Sequence, residues 1–324
     1  MKILHICAGW QPWNGAANIA RMIMDEQRRE GHEVSFATWA KVRELRAADE
    51  VWIHCGWLPC LWWAALWGRN VHWMPEACYD PVRLHFHGWK KRLVGLIERF
   101  CLRRAKTLVA TCEAEQGWIQ AYLGKRCPPV VVTDIKRFFC LPNSRVEALP
   151  NNRPLQLLYL GRQHPLKGLE FLEAAVKGIE GVELRVVSNA FGEEKEKVLE
   201  WCDVLVLPTL SDNFGLVIAE ALERGKRVIT TDGAPAWEEG LELRVERGGV
   251  EELRVGNEGV EELRVESGGV EELRVESGGV EELRVGSEIW SSYEGRLIYL
   301  KGYRDGTDEE RVELLKRAIE RICK

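Results

Sequence analysis

The segment LPTLSDNFGLVIAEAL, residues 207–222, joins an apolar strand pattern to a helical pattern through a short polar loop. Asp212 falls in the loop and Glu220 in the helix, with seven residues between them. Carboxylates at these places can accept hydrogen bonds from the hydroxyls of an extended ligand, although two solvated acids would have the same spacing. The N–H groups of Gly215 and Leu216, where the helix begins, can face a phosphate of that ligand.

Apolar β-branched runs alternate with helical periods on both sides of this segment. In the second half we predict strands at Gln156–Leu160, Val182–Val187, Val204–Pro208 and Arg227–Thr231, and helices at Leu169–Val176, Glu193–Cys202 and Gly215–Arg224. In the first half we predict strands at Lys2–Cys7, Glu33–Thr38, Val51–His54, Val71–Met74 and Thr107–Thr111, and helices at Ala16–Arg29, Leu61–Trp67 and Trp89–Arg104. This alternation is typical of βαβ units around a parallel sheet.

The linker LPNNRPL, Leu149–Leu155, divides the chain into two domains, which we place at residues 1–150 and 151–324. We therefore predict an α/β fold of two doubly wound, Rossmann-like domains that face each other across a cleft. A C-terminal helix at residues 308–323 completes the second domain. Ligands of such sheets bind outside the carboxyl ends of the strands, so we expect the site in the cleft.

A second segment, LGRQHPLKG at residues 160–168, has the composition of an anion site. A strand ends at Gly161, and Arg162 and Lys167 precede the start of a helix. A helix N-terminus offers free N–H groups and the positive end of its dipole. Arg can bind a diphosphate through two parallel hydrogen bonds, and Lys adds a point charge. On spacing alone, a solvated basic loop is the alternative.

Together these segments resemble the retaining glycosyltransferases of the GT-B fold in glycosyltransferase family 4, also called group 1. The acidic motif of that family usually has the form EGFG…E before a helix and a VI-T strand, and this chain has DNFG…E followed by RVITT. The GR…KG segment matches the phosphate loop of the same family. The resemblance extends from Met1 to about Glu239 and, more weakly, from about Gly295 to the end.

The resemblance implies a role for each matching residue. Arg162 and Lys167 would hold the donor diphosphate and stabilise the charge of the leaving group. Asp212 would bind hydroxyls of the donor sugar, and Glu220 the ribose of the nucleotide, which completes the four predicted catalytic residues. Further donor-binding positions are expected at Gly15, Gly161, Phe214, Gly215, Leu216 and Gly233. Because fixed cations can stabilise a departing phosphate without a metal, we predict no metal site and no other cofactor.

The resemblance also implies an enzyme, a retaining hexosyltransferase that uses a UDP- or GDP-sugar and a lipid-linked or polysaccharide acceptor, as in lipopolysaccharide or capsule biosynthesis. Two departures favour an alternative, a catalytically degenerate GT-B protein that acts as a binding or scaffold module through the repeat described next. Glu76 stands where the family commonly has His or Arg. Between Val187 and Cys202 the chain is shorter than a doubly wound domain by about one βα unit.

The motif ELRV recurs every ten residues between positions 241 and 285. Alternating side chains and Gly-containing breaks are typical of strands and turns, so we predict a β-type decapeptide-repeat insertion in the second domain. We favour an insertion without chemistry over a partner-binding module. Its 13 Glu and 6 Arg supply most of the acidity of residues 151–324, which contain 24 Lys or Arg and 36 Asp or Glu.

The first half is basic, with 21 Lys or Arg against 14 Asp or Glu, and it holds 11 of the 14 Trp. A basic helix beside the Trp-rich run Trp57–Trp67 is typical of proteins that rest on anionic membranes, although some of these Trp belong to the core. No nucleic-acid module accompanies the run, so we expect no nucleic-acid partner. The N-terminus lacks a signal-peptide pattern and the ten Cys are dispersed. We therefore expect a cytoplasmic protein that can contact the inner face of the membrane.

Overall fold

The computed structural model describes residues 1–12, 14–141, 149, 152–188, 190–238, 288–292 and 296–323. The decapeptide-repeat insertion predicted at 241–285 lies outside these residues. Among the helices of the described ranges, none is both long and apolar enough to cross a membrane.

Six parallel strands form the sheet of the first domain, in the order β2-β1-β3-β4-β5-β6. The strands are β1 (Lys2–Cys7), β2 (Glu33–Ala37), β3 (Glu50–His54), β4 (Val71–Met74), β5 (Thr107–Ala110) and β6 (Val130–Val132). The helices are α1 (Gly15–Arg29), α2 (Val42–Ala47), α3 (Pro59–Trp67), α4 (Pro81–Leu102) and α5 (Glu113–Leu123). All residues of β1 except the first are buried, as expected for a strand that helices cover on both faces.

The second domain also has a six-stranded sheet, in the order β11-β12-β10-β9-β7-β8. The strands are β7 (Leu155–Leu160), β8 (Val182–Val187), β9 (Val204–Leu207), β10 (Arg227–Thr231), β11 (Glu288–Ser292) and β12 (Leu297–Lys301). The helices are α6 (Leu169–Val176), α7 (Glu193–Trp201), α8 (Leu216–Glu223) and α9 (Asp308–Cys323). Strand β11 is antiparallel to β12, and the other neighbours are parallel. The predicted pair of doubly wound α/β domains is therefore confirmed.

Strand β8 lies at the edge of the second sheet, and α7 leads directly from β8 to β9. The common doubly wound strand order is 3-2-1-4-5-6. The observed order β8-β7-β9-β10-β12 corresponds to 2-1-4-5-6, without the strand that would flank β8. The shortening predicted between Val187 and Cys202 is thus confirmed for the described part of the chain.

One apolar cluster includes residues from both domains. From the first domain it contains Ile19 and Ile23 of α1 and Val109 of β5, and from the second it contains Phe214 and Trp237. Burying apolar surface from both sides stabilises one arrangement of the two sheets, at about 25 cal/mol for each Å² removed from water. The two domains therefore pack against each other through apolar side chains of both.

Helix α4 corrects the predicted helix at Trp89–Arg104, because it begins at Pro81 and ends at Leu102. Asp80 is the N-cap, and its side chain accepts a hydrogen bond from the N–H of Val82. Pro81 fits the first turn because an N–H group there needs no partner within the helix. The Asp-Pro pair was the start signal that the apolar period alone did not reveal. The structure also adds elements that were not predicted, which are α2, α5, β6, β11 and β12.

Gly168 lets the loop after β7 approach the loop after β9 closely. Its φ angle is +63°, and a Cβ atom built on it would lie 2.1 Å from the carbonyl oxygen of Pro208. Gly178 is also left-handed, with a φ angle of +83°, but a Cβ atom there would have no heavy atom within 4 Å. A comparison of alanine substitutions at these two glycines therefore distinguishes the free-energy cost of the backbone angle from that of the close approach.

We expect Gly168→Ala to destabilise the protein much more than Gly178→Ala. A left-handed alanine costs about 1–2 kcal/mol at either position, but at 168 the backbone must also move away from Pro208. Denaturant unfolding monitored by circular dichroism would compare the two variants with the wild type. Equal losses of unfolding free energy would show that the close approach at Gly168 is not required.

Candidate functional site

Lys167 and Asp212 form an ion pair where β7 and β9 end. The Nζ atom of Lys167 lies 2.5 Å from Oδ2 of Asp212, and both side chains are largely buried. Burial lowers the pKa of Lys167, although the charge of Asp212 opposes that shift. Burial would raise the pKa of Asp212, but the charge and hydrogen bond of Lys167 outweigh it and hold that pKa below its ordinary value. The pair keeps one cation and one carboxylate fixed at the carboxyl edge of the second sheet.

Backbone contacts hold this pair in position. The N–H of Asp212 donates to the carbonyl of Gly233, at 2.7 Å. A Cβ atom on Gly233 would lie 2.0 Å from the carbonyl oxygen of Thr209, so only glycine fits there. Lys167 ends a 3-10 turn that His164 caps, because Nδ1 of His164 accepts a hydrogen bond from the N–H of Leu166. Gly233, predicted as a donor-binding residue, therefore also shapes the loop that carries Asp212.

Glu220 lies on α8, and its side chain is already paired. Lys195 of α7 donates from Nζ to Oε1 of Glu220 at 2.7 Å, and both side chains are partly exposed. The sequence did not predict Lys195 as a site residue. It reaches Glu220 from α7, the helix that follows β8 along the chain. For a ribose to hydrogen-bond to Glu220, its hydroxyls would have to replace the ammonium group of Lys195.

The remaining predicted residues of the second domain divide into two groups. Gly161 and the exposed Arg162 follow β7, and Gly215 and Leu216 begin α8, so these four lie at the carboxyl edge of the sheet. Gly215 has a φ angle of +65°, which favours glycine. Phe214 differs, because its ring is 1% exposed and lies 5.0 Å from the ring of Trp237. Phe214 therefore belongs to the core, and only its backbone can contribute to a donor site.

The first domain brings two positions to the same cleft. Gly15, predicted as a donor-binding residue, is exposed and begins α1, just after the loop that follows β1. Arg83, which was not predicted, lies on α4, and its Nη2 atom is 3.5 Å from the carbonyl oxygen of Ser211. Lys167 approaches the same oxygen, with Nζ at 3.3 Å. The Asp-Pro helix start was the available signal for Arg83, since it places that residue at the cleft end of α4.

Glu76 is the last of a series of buried polar side chains that contact one another in the first domain. The Nδ1 atom of His54 lies 3.3 Å from Oε1 of Glu76, and the Nε2 atom of His54 lies 3.0 Å from Nδ1 of His5. The other nitrogen of His5 is 2.8 Å from Oε1 of Gln27. Burial raises the pKa of Glu76 well above its ordinary value, lowers the pKa of His54 to about 3, and lowers the pKa of His5. The Glu76 side chain thus belongs to a buried hydrogen-bonded network that includes two neutral histidines.

A second buried acid holds the turn that presents Glu76. Glu76 and Ala77 both have φ angles of +57°, which is strained for residues other than glycine. Glu115 accepts hydrogen bonds from the N–H of Ala77 at 2.5 Å and from the N–H and Oγ1 of Thr111 at 2.8 Å. Thr111 Oγ1 also lies 2.8 Å from Oδ1 of Asn213, next to Asp212. This network connects the strained turn of the first domain to the acidic loop of the second.

Two family models match the chain in its two halves. The model described as glycosyl transferase 4-like domain matches residues 35–134, and the model described as glycosyl transferases group 1 matches residues 143–256. Together the matches cover about two thirds of the chain. The chain belongs to the glycosyltransferases.

Solved structures show the same architecture as this glycosyltransferase. Sucrose-phosphate synthase from Thermosynechococcus elongatus aligns with a TM-score of 0.55 and 15% identity, over 71% of this chain and 81% of the other. Anabaena HepE, solved with UDP and glucose, aligns with a TM-score of 0.53 and 15% identity, over 74% and 82%. WaaG, a glycosyltransferase involved in lipopolysaccharide biosynthesis, aligns with a TM-score of 0.52 and 16% identity, over 73% and 82%. A comparison with curated proteins finds no match.

These likenesses show that the glycosyltransferase has the GT-B fold. The predicted residues of the second domain surround the carboxyl ends of β7, β9 and β10, where a doubly wound sheet binds its ligand. In the described residues, no group of three or more His, Cys, Asp or Glu side chains could hold a metal ion.

The buried histidines predict an acid-sensitive fold. His54 keeps a pKa of about 3 in the folded protein, whereas an unfolded histidine has a pKa of about 6.5. The unfolded chain therefore binds more protons below pH 6.5, so the stability contributed by neutral His54 is lost as the pH falls from 7.5 to 5. The loss amounts to at most about 1.4 kcal/mol per pH unit for each such histidine.

Urea unfolding of the wild type, His54→Gln and the control His32→Gln at both pH values tests this expectation. His54→Gln should lose less stability on acidification than the wild type, because one proton-binding group of the unfolded state is gone. His32→Gln should behave like the wild type. An unchanged pH dependence in His54→Gln would contradict the assignment of a neutral buried histidine.

Proposed function

We propose that this glycosyltransferase moves a sugar from a UDP- or GDP-sugar to a lipid-linked or polysaccharide acceptor of the cell envelope, with retention of the anomeric configuration. The observation that carries the proposal is the buried Lys167–Asp212 pair at the carboxyl edge of the second sheet. Arg162 on the same loop and Glu220 on α8 extend that site in two directions. A solved structure of similar fold contains UDP and glucose, which belong to the same chemical class as such a donor.

The reaction places charge where these side chains lie. When the bond between the sugar and the phosphate breaks, negative charge develops on the diphosphate, and Arg162 and Lys167 stabilise it without a metal. Asp212 accepts hydrogen bonds from the donor sugar and stays ionised because Lys167 holds its pKa low. Glu220 accepts hydrogen bonds from the ribose after Lys195 has moved away. We infer retention of the anomeric configuration from the acidic motif, which the chain shares with the retaining glycosyltransferases that it resembles. The anomeric signal of the product in an NMR spectrum would test it.

The second candidate function is binding without turnover, by a degenerate GT-B protein acting as a scaffold through the decapeptide repeat. Two observations favour it. The Glu76 side chain is hydrogen-bonded to His54 rather than free to contact a substrate. In the part of the chain that the structure describes, no further strand lies beside β8 to support a nucleotide base. Measurements of binding and turnover on the same protein separate the two functions.

We expect UDP- or GDP-sugars to bind the wild type. The substitutions Arg162→Ala and Glu220→Ala should each weaken that binding at least tenfold. Charge-assisted hydrogen bonds contribute about 1.5–3 kcal/mol, which corresponds to this factor or more. Isothermal titration calorimetry provides the measurement, with Lys177→Ala as a control because Lys177 is exposed in the same domain. Unchanged affinities in both site variants would contradict the site. Binding of nucleotide sugars without transfer or hydrolysis would favour the degenerate protein.

We further propose that the first domain rests on the inner, cytoplasmic face of the membrane, where a lipid-linked acceptor would be presented. Helix α4 exposes apolar side chains, with Leu96 73% and Phe100 57% exposed. Near its end, a groove of about 540 Å³ is lined by Arg46, Leu66, Trp67, Gly68, Arg69 and Arg104, without a carboxylate. The guanidinium of Arg46 lies 5.1 Å from the ring of Trp67. Exposed cations beside apolar and Trp side chains fit anionic lipid headgroups.

Vesicle sedimentation tests this membrane contact. The wild type should bind phosphatidylglycerol vesicles more strongly than phosphatidylcholine vesicles, and R46Q/R69Q/R104Q should lose at least tenfold in affinity, since each cation contributes about 1 kcal/mol. The matched control K177Q/K197Q/R317Q removes the same charge from the second domain. Equal losses in the two triple variants would show a general charge effect and contradict a defined surface.

A further inference from the structure

The start of α4 is fixed to the second domain. Asp80, the N-cap of α4, is fully buried and forms an ion pair with the guanidinium of Arg304 from the loop between β12 and α9. The backbone of that loop is held in turn, because the N–H of Arg304 donates to Asp232 at 2.8 Å. The first turn of α4 therefore keeps a defined position over the carboxyl edge of the second sheet. Arg83 extends from this turn.

Arg83 and Lys167 converge on one backbone oxygen from opposite domains. The Nη2 atom of Arg83 lies 3.5 Å from the carbonyl oxygen of Ser211, and Nζ of Lys167 lies 3.3 Å from the same atom. The contact of Arg83 is at the long limit of a hydrogen bond, and a guanidinium has five N–H donors. Most of the donor capacity of Arg83 is thus left for another acceptor in the cleft.

The positive charges at this place exceed the negative charge that contacts them. Arg83 and Arg162 both lower the pKa of Lys167, after the larger effect of its burial, so the three cations act on one another. Asp212 is the carboxylate paired with Lys167. Glu76 faces Arg83 from its own domain, but burial raises the pKa of Glu76.

A second acid, Glu115, also faces Arg83 from its own domain. Burial raises the pKa of Glu115, although hydrogen bonds from Ala77 and Thr111 oppose that shift. Among the described side chains, neither acid of the first domain forms an ion pair with Arg83, whose hydrogen bond is to the carbonyl oxygen of Ser211. Arg83 and Lys167, with the exposed Arg162 on the loop of Lys167, would place cations of both domains around a multiply charged anion bound beside Asp212.

We propose that Arg83 is a catalytic residue of the transfer, which binds the terminal phosphate of the donor diphosphate as a third cation contributed by the opposite domain. The inference rests on the proposed function of the cleft. When the bond between the sugar C1 and the phosphate oxygen breaks, the electron pair stays on that oxygen, and Arg83 stabilises the charge together with Lys167 and Arg162. The acceptor oxygen forms the new bond to C1, and its proton passes to the departing phosphate.

The role suits a guanidinium better than the ammonium group of a lysine. Arg83 can place two parallel N–H donors on one phosphate while a third remains near Ser211, whereas a lysine provides a compact charge without this planar geometry. Because Arg83 belongs to the first domain and Lys167 to the second, a diphosphate between them would also hold the two domains together. Both consequences can be measured with UDP as the probe.

Calorimetry with UDP and hydrolysis of UDP-glucose and GDP-mannose test the assignment. Arg83→Met should weaken UDP binding at least tenfold and lower kcat for any hydrolysis by about a hundredfold, the usual effect of losing one donor to a developing charge. Arg83→Lys should retain an intermediate rate. Arg43→Met is the control, since Arg43 is exposed on α2 of the same domain, and thermal unfolding would check that each variant is folded.

Chemical rescue distinguishes a catalytic from a structural role. Millimolar guanidinium chloride should restore part of the UDP affinity of Arg83→Ala, because the free ion can occupy the vacated site, and it should not affect Arg43→Met. If the wild type binds UDP and Arg83→Met binds it equally well, the inference about Arg83 is overturned and the proposed function is not. Failure of the wild type to bind UDP, UDP-glucose and GDP-mannose would overturn the proposed function and the inference with it.

Discussion

The ion pair between Lys167 and Asp212 is the interaction on which the cleft of this glycosyltransferase depends. Each partner is largely buried, so removing either would leave an uncompensated charge, which typically costs several kcal/mol. The two glycines that allow the loops to meet, Gly168 and Gly233, have no space for a side chain. The pair thus determines the path of the loops after β7 and β9, and those loops carry the other site residues of the second domain.

The two domains contribute differently to this site. The second domain presents charged side chains at a sheet edge, and Lys195 forms an ion pair with Glu220 there. The first domain presents Arg83, and beneath it a buried network in which burial opposes the charged forms of Glu76 and His54. An anion bound between the domains would therefore contact cations of both domains. The buried network of the first domain would add little negative charge beside it.

The sequence predicted the elements whose apolar period is uninterrupted, and Leu169–Val176, Val182–Val187 and Arg227–Thr231 have the predicted bounds. It also located Lys167 and Asp212, because the strand that precedes each loop fixes the edge where they meet. Lys195 and the contact of His54 with Glu76 could not be predicted, since they depend on the distance between segments far apart in the chain. For Arg83 the Asp-Pro start of α4 was the available signal, and its approach to Ser211 depends on such a distance too. The burial of the Phe214 ring could not be predicted either, because its motif does not reveal which face of the loop is buried. The acidity of the second half is largely that of residues 241–285, whereas the basic first half carries the exposed arginine groove.

Hydrogen–deuterium exchange with and without UDP tests most directly whether the cleft binds a nucleoside diphosphate between the two domains. Bound UDP should slow exchange in peptides that cover residues 161–169 and 211–220 of the second domain and residues 80–86 of the first. Protection on both sides would support a diphosphate held by cations of both domains. Saturating UDP that changes neither side, or protects only a surface outside the cleft, would contradict this account.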